Sequence, residues 1–202
     1  MSDTIQLVAG LGNPGDKYAA TRHNAGFWFL DRVADALGGQ FRTETRFLGQ
    51  VCEVLVGPHK VRLLKPTTFM NRSGQSVAAL ARFYRIPAER VLVVHDELDL
   101  PPGVVRMKTG GGPGGHNGLK DVIAHLGDRG FHRMRLGIGR PRASSQVLSF
   151  VLKRPGSEER ILIDEAIRDA HAEFAEIVAG KLMVVMNRLH TRKDEPVTPP
   201  VD

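Results

Sequence analysis

Cysteine is almost missing from this 202-residue chain. Cys52 stands alone, so no disulfide can form within the chain, and a reducing compartment is the expected setting. No apolar run approaches the ~18 residues that a membrane span requires. Met1–Gln6 carries no basic stretch, and the apolar residues that follow stop at Gly12–Asn13–Pro14. A secretory signal is therefore not expected, and the expected location is cytoplasmic. No Gly-x-Ser-x-Gly elbow is found: the segment around Ser73, Asn–Arg–Ser–Gly–Gln, lacks the first glycine, so an α/β-hydrolase serine is not evident. The eight histidines follow no zinc-site spacing, and no metal is expected. Cys52 falls mid-strand, where a packing role fits better than a nucleophile. No internal repeat is visible.

What is there fits one soluble domain, with 42% apolar and 25% charged residues. The domain is expected over residues 1–190. A polar, proline-rich and disordered tail is expected over 191–202. The net charge of +6 is unevenly placed. Residues 103–154 hold ten Lys and Arg against only Asp121 and Asp128, so the rest of the chain is slightly acidic. Such a basic half fits a phosphate-rich partner such as nucleic acid, and equally a solvated basic face.

Periodicity gives the elements. Ile5–Leu11 reads as a buried strand ended by turn residues. A helix is expected over Ala25–Leu37, with Phe27, Leu30, Val33, Ala34 and Leu37 on its inner face. Leu48–Val56 and Val61–Lys65 flank Gly57–Lys60 as a hairpin. Gly74–Tyr84 is helical by period, with Val77, Leu80, Ala81 and Tyr84 inward. Val91–Val94, Val104–Lys108 and Arg133–Ile138 read as strands, and Leu119–Leu126 as a helix. A long amphipathic helix is expected from Ser157, with Leu162, Ala166, Ala170, Phe174 and Ile177 inward. Strands alternating with helices indicate an α/β fold around a mixed sheet.

Gly10–Leu11–Gly12–Asn13–Pro14–Gly15 matches the dinucleotide fingerprint after a strand. That motif needs a helix to start at once, so that its N-terminus holds the pyrophosphate. Pro14 sits inside the loop, and the next periodic helix begins about ten residues later, so the motif is expected to be a decoy. Four other loops carry complementary chemistry: Asn13 with Thr21–Asn24, Thr67–Asn71, His95–Glu97 and Gly114–Asn117. In open α/β sheets, catalytic groups gather beyond the C-terminal ends of strands. Three of the five asparagines, Asn13, Asn71 and Asn117, lie in these loops, where an amide can both donate to and accept from a substrate carbonyl or amide. Caps and turns are the competing use of asparagine, and Asn24 is expected to be a helix cap. His23 has the ordinary pKa of a general base, and Asp96, at the end of a buried strand, is a candidate orienting partner.

Five runs together resemble the bacterial-type peptidyl-tRNA hydrolase family: GLGNPGDKYAATRHNAGF from Gly10, KPTTFMNRSG from Lys65, HDELDLPPG from His95, GGGPGGHNGLKD from Gly110 and FHRMRLGIGRP from Phe131. The resemblance implies a single-domain three-layer α/β sandwich with a mixed sheet flanked by helices, monomeric and without a cofactor. It implies an esterase that cuts the bond between a peptide and the 3′ end of tRNA. His23 would activate water with Asp96 as its partner, and Asn13 would contact the peptide near the scissile ester. Asn71 and Asn117 would bind the substrate, Tyr18 and Phe69 would line the cleft, and Arg106, Lys108, Arg133 and Arg140 would hold tRNA phosphates. The rival readings are a non-catalytic RNA-binding protein on the same fold and a nucleotide-dependent enzyme using Gly10–Gly15.

Overall fold

The apolar run near the N-terminus becomes β1 (Leu7–Gly10), with all its side chains buried, in the computed structural model, which describes residues 4–191. β4 (His59–Pro66) and β5 (Val91–Glu97) flank β1 in parallel, and β7 (His132–Gly137) runs parallel beyond β5. Antiparallel strands close both sides. β3 (Gly49–Val56) pairs with β4, β2 (Arg42–Glu44) lies outside β3, and β6 (Val105–Thr109) lies outside β7. The order is β2-β3-β4-β1-β5-β7-β6 in one seven-stranded sheet. Strands covered on both faces show unbroken apolar runs in place of alternation, which is why β1 and β5 read as they do.

One face packs against α2 (Ala25–Ala36), α6 (Ser157–Ala172), α7 (Phe174–Val178) and α8 (Leu182–Thr191), in a core holding Leu92, Val94, Phe29, Ile163, Ile177 and Val185. The other packs against α3 (Ser73–Phe83) and α4 (Asn117–Leu126), with Leu7, Val93, Val77, Leu80, Leu119 and Val122 between them. The result is a three-layer α/β sandwich. Among the described residues no helix is long and apolar enough to cross a membrane.

Several expectations shift by a residue or a face. In α2 the inner stripe is Phe29, Leu30 and Val33, whereas Phe27 is half-buried and Leu37, just past the helix end, is 41% exposed. In α6 the stripe is Ile163, Ala166, Ile167 and Ala170, which leaves Leu162 41% exposed. The single long helix is two, α6 and α7, because the chain breaks at Glu173, whose buried carboxylate accepts from Arg188 of α8 at 2.9 Å and holds α8 against the break. Tyr84 is half-buried and caps α3. The hairpin turn is only Gly57–Pro58, with Gly57 at φ 58°, a conformation that glycine adopts without strain. The expected tail lies outside the described residues except for Thr191, which ends α8.

The Gly10–Gly15 segment shows what its glycines are for. A Cβ on Gly10 would strike the Gly26 carbonyl, and one on Gly26 would lie 2.5 Å from both Leu11 N and Val94 O. The two glycines let α2 sit directly on β1 and β5, and this close approach brings the start of α2 beside the end of β5. A four-residue helix, α1 (Asp16–Ala19), does follow Gly15 at once, which periodicity did not show.

Candidate active site

The parallel strands β1, β4 and β5 end at the same edge, where the loops after β1 and β4 deliver Asn13 and the Thr67–Asn71 segment and the end of β5 itself delivers Asp96. His23 enters from the turn of 3₁₀ helix Arg22–Asn24 that leads into α2. His116 enters as the N-cap of α4, its Nδ1 accepting from Leu119 N at 3.3 Å.

These residues converge on one carboxylate oxygen. His23 Nδ1 lies 2.9 Å and His116 Nε2 3.0 Å from Asp96 Oδ1. Burial alone would raise the Asp96 pKa, but the two imidazoles outweigh it and hold the carboxyl well below its ordinary range. An ionised carboxylate only accepts, so each facing nitrogen carries the proton. That fixes both tautomers: His23 keeps its lone pair on Nε2, and His116 keeps its own on Nδ1. Burial lowers the His23 pKa, yet the charge and hydrogen bond of Asp96 raise it further, for a net shift above 6.5.

His23, Asp96 and His116 also offer ligand atoms within 4.8 Å of one another. A metal requires lone pairs aimed at a common point about 2.0–2.2 Å from each. Here both ring nitrogens aim at the carboxylate oxygen itself, the geometry of donors sharing an acceptor.

Asn13 is held from two sides. Asn24 Oδ1 accepts its backbone N–H and Asn24 Nδ2 donates to its carbonyl, both at 2.9 Å, so Asn24 braces the Asn13 loop and makes no cap bond. Met70 N donates to Asn13 Oδ1 at 2.8 Å. With the oxygen occupied, the Nδ2 end of the amide is the part left to meet a substrate.

Two cavities meet at His23, Asn117 and Leu148. One, of about 220 Å³, is lined by Asn13, Tyr18, Phe69, Met70, Asn71 and Leu152 as well. The other, of about 440 Å³, adds Asp96, His116, Leu98, Arg140, Ser144 and Val151. Tyr18 and Phe69 meet edge to face at 6.4 Å, and Phe69 is 57% exposed. Leu148, on α5 (Val147–Val151), is 66% exposed. Arg22 ties α5 to the turn that carries His23. Its guanidinium bonds Glu159 at 2.9 and 2.7 Å and the carbonyls of Phe150 and Lys153 at 3.1 and 3.2 Å.

His23, Asp96, Asn13, Tyr18, Phe69, Asn71 and Asn117 thus gather at one edge of the sheet, and of the four basic residues only Arg140 lines a cavity there. Arg106 donates to Leu189 O at 2.8 Å, at the end of α8, and Arg133 is buried with its guanidinium on the carbonyls of Gly111 and Gly112. Lys108 is exposed, and Arg140 is exposed and paired with Asp99. Sequence reasoning missed His116, Arg22 and the apolar wall of α5. The signal for His116 was its place beside Asn117 after a glycine loop.

The family model described as peptidyl-tRNA hydrolase matches residues 7–196. Peptidyl-tRNA hydrolase of Neisseria meningitidis is 52% identical over 192 residues, 95% of this chain and 100% of that one. That of Methylococcus capsulatus is 56% identical over 187 residues, 92% and 99% of the two chains. The crystal structure of peptidyl-tRNA hydrolase from Acinetobacter baumannii superposes with a TM-score of 0.91 at 47% identity, covering 95% of this chain and 96% of that chain. Near full-length identity at this level, together with the shared fold, places the chain in the peptidyl-tRNA hydrolase family.

Proposed function

We propose that this protein, acting as a cytoplasmic monomer and without a cofactor, hydrolyses the ester between the peptide and the 3′ ribose oxygen of peptidyl-tRNA. The observation that carries the reading is the buried His23–Asp96 contact at 2.9 Å, whose base nitrogen opens onto cavities lined by amides and aromatic rings. His23 Nε2 takes a proton from water as the oxygen attacks the ester carbonyl. The tetrahedral oxyanion then collapses, the bond to the ribose oxygen breaks, and the imidazolium returns its proton to that oxygen. Asp96 holds the tautomer and stabilises the imidazolium. Amide N–H groups of Asn13 and Asn117 are the candidate donors to the oxyanion, a contact worth about 3 kcal/mol in comparable sites. Asn71 contacts the substrate backbone, and Tyr18 with Phe69 offers stacking surface to the terminal nucleoside. Lys108 and Arg140 meet tRNA phosphates in this reading, which their exposure supports. Arg133 supports the glycine loop, and Arg106 holds α8.

The test is release of the acyl amino acid from N-acetyl-aminoacyl-tRNA by the purified chain. His23→Ala is expected to lose about 10²–10⁴-fold in kcat while keeping tRNA affinity. Near-normal turnover in that variant would remove His23 from the mechanism.

A further inference from the structure

Alternate carbonyls of a strand point to the same neighbour. Val94 O accepts Leu11 N at 2.9 Å, so the carbonyls of Val94 and Asp96 face β1, while Glu97 O faces β7 and accepts from Ile138 N at 3.0 Å. The pairing of β1 with β5 ends at Gly10 and Val94, and the chain then turns away through Gly12 and Asn13. The Asp96 carbonyl therefore lies past the end of β1, with no strand N–H opposite it. His95 Nδ1 sits 2.7 Å from that carbonyl. Successive side chains leave β5 on opposite faces, so His95 points to the α3–α4 side. There its ring meets His116 edge to face, with centroids 5.0 Å apart. His116 in turn lies 5.0 Å from His23.

A carbonyl cannot donate, so His95 Nδ1 carries the hydrogen. Nε2 is buried without a hydrogen-bond partner among the described residues. Leaving such an atom unpaired is unfavourable, so the donor and the ring shape are what this position uses. His95 lines neither cavity and is only 2% exposed.

We propose that His95 is a positioning residue for the hydrolytic site. Its Nδ1–H replaces the strand partner that the Asp96 carbonyl loses where β1 departs, and its ring backs His116, so that both imidazoles meet on one carboxylate oxygen. The proposal rests on the roles given above to His23 and Asp96. Burial, then repulsion from His116, outweigh the bond to the Asp96 carbonyl and the Asp96 charge, with Arg133 adding repulsion, and bring the His95 pKa down to about 3. His95 is therefore neutral at working pH. The ionisable groups facing His23 are Asp96 and His116.

Long-range ¹H–¹⁵N spectra of the wild-type protein test the tautomer directly. His95 is expected as neutral Nδ1–H from about pH 5 to 9. An Nε2–H tautomer or a protonated ring in that range overturns the proposal. His95→Phe keeps the ring and removes the donor. Its kcat is expected to fall about ten- to a hundredfold with KM changed by less than about twofold. Its acid limb is expected to move to lower pH, because the Asp96–His23 contact loosens. His95→Asn, whose amide can supply the donor, should recover most of the kcat. Folded His95→Phe with wild-type kcat and acid limb overturns the proposal, and if that variant does not fold, the wild-type spectrum decides. An active His23→Ala enzyme counts against the underlying reading, whereas a wrong His95 tautomer beside an inactive His23→Ala counts against His95 alone.

Discussion

The amide oxygen of Asn13 accepts the backbone N–H of Met70 at 2.8 Å, which locks the loop after β1 to the loop after β4 and leaves the NH₂ end as the part of the amide that the proposed reaction would use. A neutral amide held in this way can hydrogen-bond an acylated nitrogen or its carbonyl. A free ammonium there would give up water for a poorer partner, and an unpaired charge is costly to desolvate. Asn13→Ala is therefore expected to lose far more kcat/KM on peptidyl-tRNA than it loses in tRNA affinity, and its preference for acylated over free-amine substrate should shrink. The ratio of kcat/KM for the two substrates is the measurement, and an unchanged ratio moves the discrimination to Asn71 or Asn117.

The pH profile follows from the shared carboxylate. In the proposed mechanism His23 is active when neutral, so the rate is expected to rise with pH through a His23 pKa that Asp96 holds above 6.5. Asp96→Asn removes that charge and leaves burial, which lowers the imidazole pKa. The plateau is expected to drop by about 10²–10⁴-fold and the acid limb to move to lower pH. Stability changes in a different window. The depressed Asp96 pKa contributes stability above its ordinary value of 3.8, and that contribution is lost as pH falls through the folded value. Asp96→Asn should thus flatten acid unfolding below about pH 4, read from denaturant midpoints. A rate profile unmoved by the substitution would recast Asp96 as structural.

Salt dependence separates the basic residues. Lys108 is exposed, and its removal as Lys108→Ala should reduce the slope of log K for tRNA against log salt by roughly 0.7–0.9. Arg106→Ala should act mainly on stability, because its guanidinium holds the Leu189 carbonyl at the end of α8. Equal slopes for wild type and Lys108→Ala, measured by filter binding across a salt series, would place the phosphate contacts on other residues.

The elements with strong periodicity were legible from sequence: β1 and β5 as unbroken apolar runs, α3 by its apolar stripe. The loops that carry chemistry were legible too, because turn residues and reactive side chains cluster where strands end. Local pattern could not settle the phase of a stripe. Leu162 and Ile163 are neighbours of equal apolarity, and only packing against the sheet chose Ile163. Nor could it show that Asn24 braces Asn13, eleven residues away, instead of capping a helix.

Residue type, spacing and order were enough for the fold class and for His23 and Asp96 as candidates, whereas the reading of the Gly10–Gly15 loop assumed a gap before the next helix that α1 fills. Tertiary structure decided which groups share a proton acceptor. His116, given no role in the sequence reading, reaches Asp96 Oδ1 from 20 residues away, while Arg133, read as a phosphate ligand, turned inward to the Gly111 and Gly112 carbonyls. The physical reason is common to both. A hydrogen bond depends on ångström-scale placement of two groups, and for residues distant in sequence that placement is set by how α2 and α4 pack on the sheet, not by the residues that flank either partner.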